Sequence, residues 1–325
     1  MPSASTKKIL SFSIKTMLVG ASFAYLFYKL SSNDFRNMME SSQNSLFNLN
    51  HLPYLILLLL LMCVNWSIEA IKWKKLLEKT EIISFATSLK SILSGVTISL
   101  FTPNRAGEFV GKIFFLDKEN KADAILLNVV GSLSQVLITF CVGLFALQYY
   151  LLNYLNYQWN QSLLLLTVLL IAAVSVYLFF NIVSISKNWT RGNFIRKIIP
   201  YSNSAINLSK PEIAQILLLS LLRYTVFSFQ YYLLLCAFNI ATSFAETSFL
   251  IALYFFFVSL IPTYALSELG VRGSVSLVLF GLISVNSGAI LATSLLLWII
   301  NLALPAIVGA YFVYQLKFFS TSKND

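Results

Sequence analysis

The chain has 325 residues, of which 58% are hydrophobic and only 11% are charged, and its formal net charge is +10. Several apolar runs exceed the roughly 18 residues that mark a membrane-spanning helix, so the composition predicts a polytopic helical membrane protein without a soluble catalytic domain. The basic residues lie in short connections beside apolar runs, which indicates membrane orientation and argues against a nucleic-acid partner. The three cysteines lie singly and there is one histidine, so we expect no disulfide framework, no metal site and no cofactor.

Two apolar runs open the chain. Three lysines precede a run at about residues 18–30, which we interpret as an uncleaved first span, with a cleaved signal peptide as the alternative. The second span is predicted from Leu52 to about Ile71. It ends in Lys72-Trp73-Lys74-Lys75, a basic sequence with an aromatic residue that we expect at the cytoplasmic interface.

The first charged motif interrupts the apolar sequence after residues 85–101. It reads Thr102-Pro103-Asn104-Arg105-Ala106-Gly107-Glu108-Phe109-Val110-Gly111-Lys112. Proline and glycine at these positions predict a helix break with hinges at Pro103, Gly107 and Gly111. Glu108 precedes Lys112 by four residues, a spacing that puts both side chains on one helical face. An ordinary interfacial ion pair is the alternative for these two residues.

The distribution of charge predicts how this motif sits in the membrane. If residues 85–101 crossed once, the later basic connection at about residues 187–210 would fall outside, against the positive-inside rule. If residues 85–101 and 105–117 form a hairpin or re-entrant pair, the basic connections fall inside. Irregular backbone at that depth is tolerated only beside a cavity or within protein. The break therefore predicts a cavity.

The second motif lies near the other end of the chain and resembles the first. In Pro262-Thr263-Tyr264-Ala265-Leu266-Ser267-Glu268-Leu269-Gly270-Val271-Arg272, the base again follows the glutamate by four residues, and Pro262 and Gly270 predict a second break. Further helical segments are predicted at about residues 122–151, 163–180, 213–238, 245–261, 274–285 and 289–315.

These segments define the predicted fold class: an all-α polytopic membrane protein with about seven to eight spanning helices and two re-entrant or broken helical elements. We expect a single transmembrane domain, residues 1–325. The two motifs suggest an inverted repeat with halves at about 52–151 and 212–316, whose broken elements would line one polar site.

A charge near the middle of a span adds a further candidate. Arg223 lies about a dozen residues into its segment, where a charge costs at least about 2.5 kcal/mol and implies a cavity or a partner. A structural ion pair with Glu246 or a motif glutamate is the alternative. Gln230, seven residues later, is predicted on the same face. Asn128 and Gln135 are interpreted as interhelical hydrogen-bonding residues. Asn65 and Glu69 are expected in the headgroup region and receive little weight.

With these motifs, the chain resembles the lysylphosphatidylglycerol synthase membrane-region family, in a stand-alone form without the aminoacyl-transferase domain. The matching pieces are the sequence 71–77, the first motif, and Pro262 through Gly273. The resemblance implies a role in phospholipid translocation, with Arg105, Glu108, Glu268 and Arg272 at characteristic positions. The second motif departs from the family where members often have glycines.

The predicted function is a lipid flippase or scramblase of the bacterial cytoplasmic membrane, with both termini in the cytoplasm and no enzymatic activity. The substrate would be a phospholipid, and amino- and aminoacyl-type headgroups are among the candidates. The candidate substrate-binding residues are Arg105, Glu108, Lys112, Arg223, Gln230, Glu268 and Arg272. The alternatives are a membrane-embedded transferase, for which Asp117 and Glu119 are the one close acidic pair, and an accessory subunit of a lipid-modifying enzyme. A homodimer is also compatible with the sequence.

Overall fold

The computed structural model describes residues 52–100, 102, 107–116, 121–155, 160–181, 208–261 and 265–315, and all regular structure in these ranges is helical. The predicted first span, Pro103, Arg105, Pro262 and the acidic pair at 117 and 119 lie outside the described residues. These ranges contain ten α-helices, α1 Leu52–Leu77, α2 Phe85–Ser99, α3 Gly107–Ile113, α4 Lys121–Asn153, α5 Gln161–Phe180, α6 Lys210–Ala237, α7 Phe244–Leu260, α8 Ala265–Phe280, α9 Ser287–Trp298 and α10 Leu304–Gln315, with a π-helix Ile299–Ala303 joining the last two.

Five helical stretches in the described ranges are long and apolar enough to cross a membrane. They are Leu52–Leu77, Asp123–Asn153, Gln161–Phe180, Lys210–Ala237 and Ser287–Tyr314. At 1.5 Å per residue each exceeds or approaches the roughly 30 Å hydrocarbon thickness of a bilayer. The structure thus confirms an all-helical protein with several membrane-length helices, whereas the predicted total of seven to eight spans stays a prediction.

Helices α2 and α3 form the hairpin that the charge distribution predicts. A Cβ atom on Gly111 would lie 2.4 Å from the Cα atom of Gly95, and a Cβ on Gly107 would lie 2.6 Å from the carbonyl oxygen of Ile98. The two helices therefore run antiparallel with their backbones in contact. With 15 residues, α2 is only about 22 Å long, so it is shorter than a bilayer core.

Two predicted hinge positions are wrong. Gly111 lies inside α3 and Gly270 lies inside α8, so neither residue interrupts a helix. A glycine in a helix interior costs only about 1 kcal/mol, which neighbouring packing readily offsets. Gly111 instead provides the close approach to α2. Gly107 is the first residue of α3. The short run predicted from 274 is the continuation of α8, which contains the second motif from Ala265 onward.

The buried apolar side chains form two clusters, and a cavity lies where they meet. The first cluster is built mainly from the C-terminal half of α6 with α7, α8 and α9. The second is built mainly from α1 and α2, with contributions from α4 and α10. Helix α2 is held to α10 by a hydrogen bond of 2.7 Å from Thr97 Oγ1 to the carbonyl of Ala306.

Candidate functional site

The cavity between the clusters has a volume of about 630 Å³ and is lined by residues of both charged motifs. Tyr224, Phe255 and Leu297 come from the first apolar cluster, while Trp66 and Leu302 come from the second. Its charged lining residues are Glu69, Lys72, Glu108, Arg223, Glu268 and Arg272. Six charges around one interior space are costly in a membrane protein unless they pair with each other or with a ligand.

Glu69 on α1 is the centre of the largest ion-pair group. Its Oε2 atom lies 2.8 Å from Lys72 Nζ and 3.2 Å from Arg223 Nη1, and its Oε1 atom lies 3.5 Å from Lys112 Nζ. The residue is only 5% exposed. Because attraction between charges strengthens as water is excluded, this carboxylate ties α1 to α3 and α6.

The two lysines of this group use all their hydrogen-bonding capacity inside the protein. Lys112 Nζ contacts Glu108 at 2.7 Å, Asn128 Oδ1 at 2.9 Å and Glu69. Lys72 Nζ contacts Glu69 and donates to the Gly131 carbonyl at 3.3 Å and to Ser220 Oγ at 3.4 Å. An ammonium group has three protons to donate, so neither lysine has a donor left for a ligand.

Arg223 differs from these lysines. Its side chain is 23% exposed, against 2% for each lysine. The guanidinium lies over the Trp66 ring, with 5.3 Å from its central carbon to the ring centroid. Its Nε atom is buried and has no hydrogen-bond partner among the described residues, and the same is true of Trp66 Nε1.

The second motif contributes a smaller and electrically balanced pair. Arg272 Nε donates to Glu268 Oε1 over 2.8 Å, within one turn of α8. The two side chains are 13% and 6% exposed. Both residues line the same cavity as Glu108 of the first motif.

A polar pair of asparagines crosses the cavity beside the π-helix. Asn65 Nδ2 donates to Asn301 Oδ1 over 3.4 Å, and Asn301 lies inside the π-helix. Pro305 follows four residues later and has no N–H for the Asn301 carbonyl, which removes one α-helical hydrogen bond. Wide π-turns within helices occur frequently at functional sites. The local sequence therefore explains both the widened turn and the polar residue at the cavity.

The structure brings together four of the predicted site residues and separates two others. Glu108, Arg223, Glu268 and Arg272 line the cavity, whereas Lys112 lies behind it. Gln230 is fully buried and donates from Nε2 to the carbonyl of Leu58 over 2.9 Å, outside the set of cavity-lining residues.

The structure also shows the ion-pair or hydrogen-bond partners of other polar residues considered in the sequence analysis. Arg223 pairs with Glu69, a partner not considered from sequence, while Glu246 accepts hydrogen bonds from Tyr154 and Thr242. Asn128 and Gln135 make the interhelical hydrogen bonds that were expected. Asn128 accepts from Lys112, and Gln135 donates to the Ser220 carbonyl over 3.4 Å.

Sequence reasoning missed the main residues of α1. Glu69 was expected near headgroups but is buried, and Lys72 and Trp73, expected at the interface, are 2% and 1% exposed. Trp73 Nε1 donates to Ser91 Oγ inside the protein over 3.2 Å. The spacing of Asn65, Glu69 and Lys72 was the available signal, because residues three and four apart share a helical face.

Within the described ranges, regular structure that is entirely helical, five stretches of membrane length and a charged interior cavity define a polytopic membrane protein. The sequence matches the family described as "Lysylphosphatidylglycerol synthase TM region" over residues 12–309, so the chain belongs to that family. A comparison with curated proteins gives no match. The family is the membrane region of a lipid-modifying synthase, which makes this a membrane protein related to lipid metabolism. Among the residues that the structure describes, no group of three or more His, Cys, Asp or Glu side chains could hold a metal ion.

Proposed function

We propose that the protein translocates phospholipids across the bacterial cytoplasmic membrane, as a flippase or scramblase without enzymatic activity of its own. The observation that carries this proposal is the cavity in which charged residues from both motifs face aromatic and apolar side chains. Its volume of about 630 Å³ falls in the range of small-molecule binding sites. The cavity is therefore large enough to hold a lipid headgroup.

The physical barrier to lipid movement is the desolvation of the headgroup. Charged and polar groups lose several kcal/mol of hydration in hydrocarbon unless other polar groups replace the water. The ion pairs around the cavity supply such groups at fixed positions: those of Glu69 join α1 to α3 and α6, and the pair of Glu268 and Arg272 lies within α8. The headgroup would pass along this polar surface while its acyl chains stay in the bilayer.

The orientation and the partners follow from the same proposal. Both termini would lie in the cytoplasm, where the basic connections are expected. The partners are membrane phospholipids, and we propose a homodimer and association with a separate lipid-modifying enzyme as further properties of the assembly.

The experiment uses vesicles that contain the purified protein and an acyl-labelled fluorescent phospholipid. An external reductant bleaches only the label in the outer leaflet, so protein-free vesicles keep about half of the signal. We expect the wild type to lose nearly all of it. Glu268→Gln and Arg272→Ala should stay near half in intact vesicles, while the surface variant Lys79→Gln should behave as the wild type. Retention of half the signal by the wild type, with several headgroups and with an imposed proton gradient, would reject the proposal.

A further inference from the structure

The charges around Glu69 do not balance. Glu69 and Glu108 supply two negative charges, and Lys72, Lys112 and Arg223 supply three positive charges that contact them. Glu268 and Arg272 pair with each other and add no net charge. The described ion-pair network at the cavity therefore carries one excess positive charge. A buried excess charge is costly, and a ligand of opposite charge relieves that cost.

The excess charge can be assigned to one side chain. Lys72 and Lys112 have their three donors filled by protein acceptors, as described above. Without Arg223, two acids would face two lysines and the group would be neutral. Arg223 is also the most exposed base of the group and lines the cavity. The excess positive charge is thus presented to the cavity by the guanidinium of Arg223.

Unpartnered donors line the same cavity as this guanidinium. Arg223 Nε and Trp66 Nε1 are both buried without a hydrogen-bond partner in the described part of the chain, and so is Trp298 Nε1. All three residues line the cavity, and Trp66 is 92% buried, with 8% of its surface exposed. Guanidinium and indole N–H groups can only donate hydrogen bonds, so they require an acceptor. Burying such a donor unpaired costs about 1–3 kcal/mol.

We propose that Arg223, Trp66 and Trp298 form a subsite for a phosphodiester oxyanion, and that the cavity selects headgroups with one net negative charge. A guanidinium binds phosphate oxygens well because its donors form a planar fork. This inference rests on the proposed function for the identity of the ligand as a lipid, and it narrows the substrate class. Headgroups with a net positive charge, such as aminoacyl esters of phosphatidylglycerol, would add to the excess charge and bind more weakly.

The test measures binding without transport. The full-length protein is incorporated into nanodiscs that contain equal amounts of three lipids: phosphatidylglycerol (one negative charge), phosphatidylethanolamine (zwitterionic) and lysylphosphatidylglycerol (one positive charge). The protein is then purified from the nanodiscs, and the lipids that remain bound to it are quantified by mass spectrometry. We expect enrichment of phosphatidylglycerol over both other lipids. In Arg223→Gln this enrichment should fall about tenfold, the effect of losing a charged hydrogen bond. Trp66→Phe, which removes only the indole N–H, should reduce it about threefold.

Two matched variants serve as controls. Lys79→Gln removes a positive charge from an exposed pair with Glu212, whose atoms are 2.7 Å apart, and should leave the enrichment unchanged. Trp73→Phe removes an indole N–H that donates to Ser91 and does not belong to the cavity lining. The enrichment of phosphatidylglycerol in this variant should also be unchanged. Arg223→Gln is expected to fold, because the remaining two acids and two lysines are balanced.

The outcomes separate this inference from the proposed function. Preference for lysylphosphatidylglycerol or phosphatidylethanolamine, or full enrichment in Arg223→Gln, would overturn the subsite even if the vesicle assay shows translocation. Enrichment without translocation would support the subsite and reject the transport function. Binding of glycerol 3-phosphate by lipid-free micelles of the wild type, lost in Arg223→Gln, would support the oxyanion subsite but assign it to a soluble phosphate ester.

Discussion

The two charged motifs line one cavity but are built differently. In the first, Glu108 and Lys112 form one ion-pair group with Glu69, Lys72 and Arg223. This group includes residues of three helices and has a net charge of +1. In the second, Glu268 and Arg272 pair within a single turn of α8 and cancel. The first group joins residues of three helices through one shared carboxylate, whereas the second pair is formed within one helix. The first site therefore connects helices and presents a positive charge to the cavity, and the second site adds polar groups without net charge to the cavity lining.

The largest effect on stability is expected from Glu69→Gln. This change keeps the shape of the side chain but leaves three bases with one acid, and breaking a buried ion pair costs about 3–5 kcal/mol. We expect a loss near the upper end of that range in denaturant titrations of the detergent-solubilised protein. Lys79→Gln, which breaks an exposed pair, should cost less than about 1 kcal/mol. A loss in Glu69→Gln as small as that of the control would contradict the central role of this carboxylate.

Arg272→Gln sharpens the comparison. It removes the cation that pairs with the Glu268 carboxylate and should cost about 3 kcal/mol, because both side chains are at least 87% buried, with exposures of 13% and 6%. The double variant Glu268→Gln/Arg272→Gln removes both charges and should recover to within about 1 kcal/mol of the wild type. Adding Arg223→Gln to Glu69→Gln should give no such recovery, since two bases would still face one acid. Equal recovery of stability in the two double variants would mean that the two sites do not differ in their charge balance.

Gly111→Ala tests the hairpin that carries the first motif. The added Cβ would lie 2.4 Å and 2.5 Å from backbone atoms of Gly95, which cannot move without separating α2 from α3. Overpacking of this kind costs about 1–3 kcal/mol. In Gly131→Ala the Cβ would meet side-chain atoms instead of backbone, Leu76 Cδ1 at 2.8 Å and Lys72 Cε at 4.0 Å, so this variant should cost less than Gly111→Ala in the same titration. Equal effects of the two changes would argue against the close packing of the hairpin.

The smallest effect is expected at the asparagine pair. Asn301→Leu leaves the Asn65 amide without its acceptor and should cost about 1–2 kcal/mol in thermal unfolding. Asn65→Leu combined with Asn301→Leu removes both polar groups and should be less destabilising than the sum of the single changes. Additive losses would show that the two side chains do not interact.

The sequence was informative where charged residues interrupt an apolar sequence. Arg223, Glu108, Glu268 and Arg272 were all identified in this way, and the antiparallel hairpin followed from the distribution of basic connections. Helix boundaries within the long apolar segments were also close to those observed, because length and hydropathy determine them.

The sequence was misleading where one residue pattern fits two environments. Lys72 and Trp73 lie beside Lys74 and Lys75, and such a sequence is typical of a membrane interface. Only tertiary contacts with Gly131, Ser91 and Ser220 bury the first two residues and leave Lys74 exposed. Gly111, which lies against Gly95 of α2, was taken as a break for a similar reason. Glycine either interrupts a helix or lets another backbone approach, and the choice depends on a neighbour that is distant in sequence.

The central claim is that a lipid headgroup enters the cavity, and headgroup photocrosslinking tests it most directly. Phosphatidylglycerol with a photoreactive group on its headgroup is incorporated with the protein into nanodiscs, and crosslinked residues are mapped by mass spectrometry. The account predicts crosslinks at cavity residues of α1, α4 and α6, such as Trp66, Val136 and Phe227. A probe on the acyl chain should label the exposed apolar surface of α5, including Leu166 and Leu170. Headgroup crosslinks confined to peripheral helix ends and the α5 surface, with none in the cavity, would contradict the account.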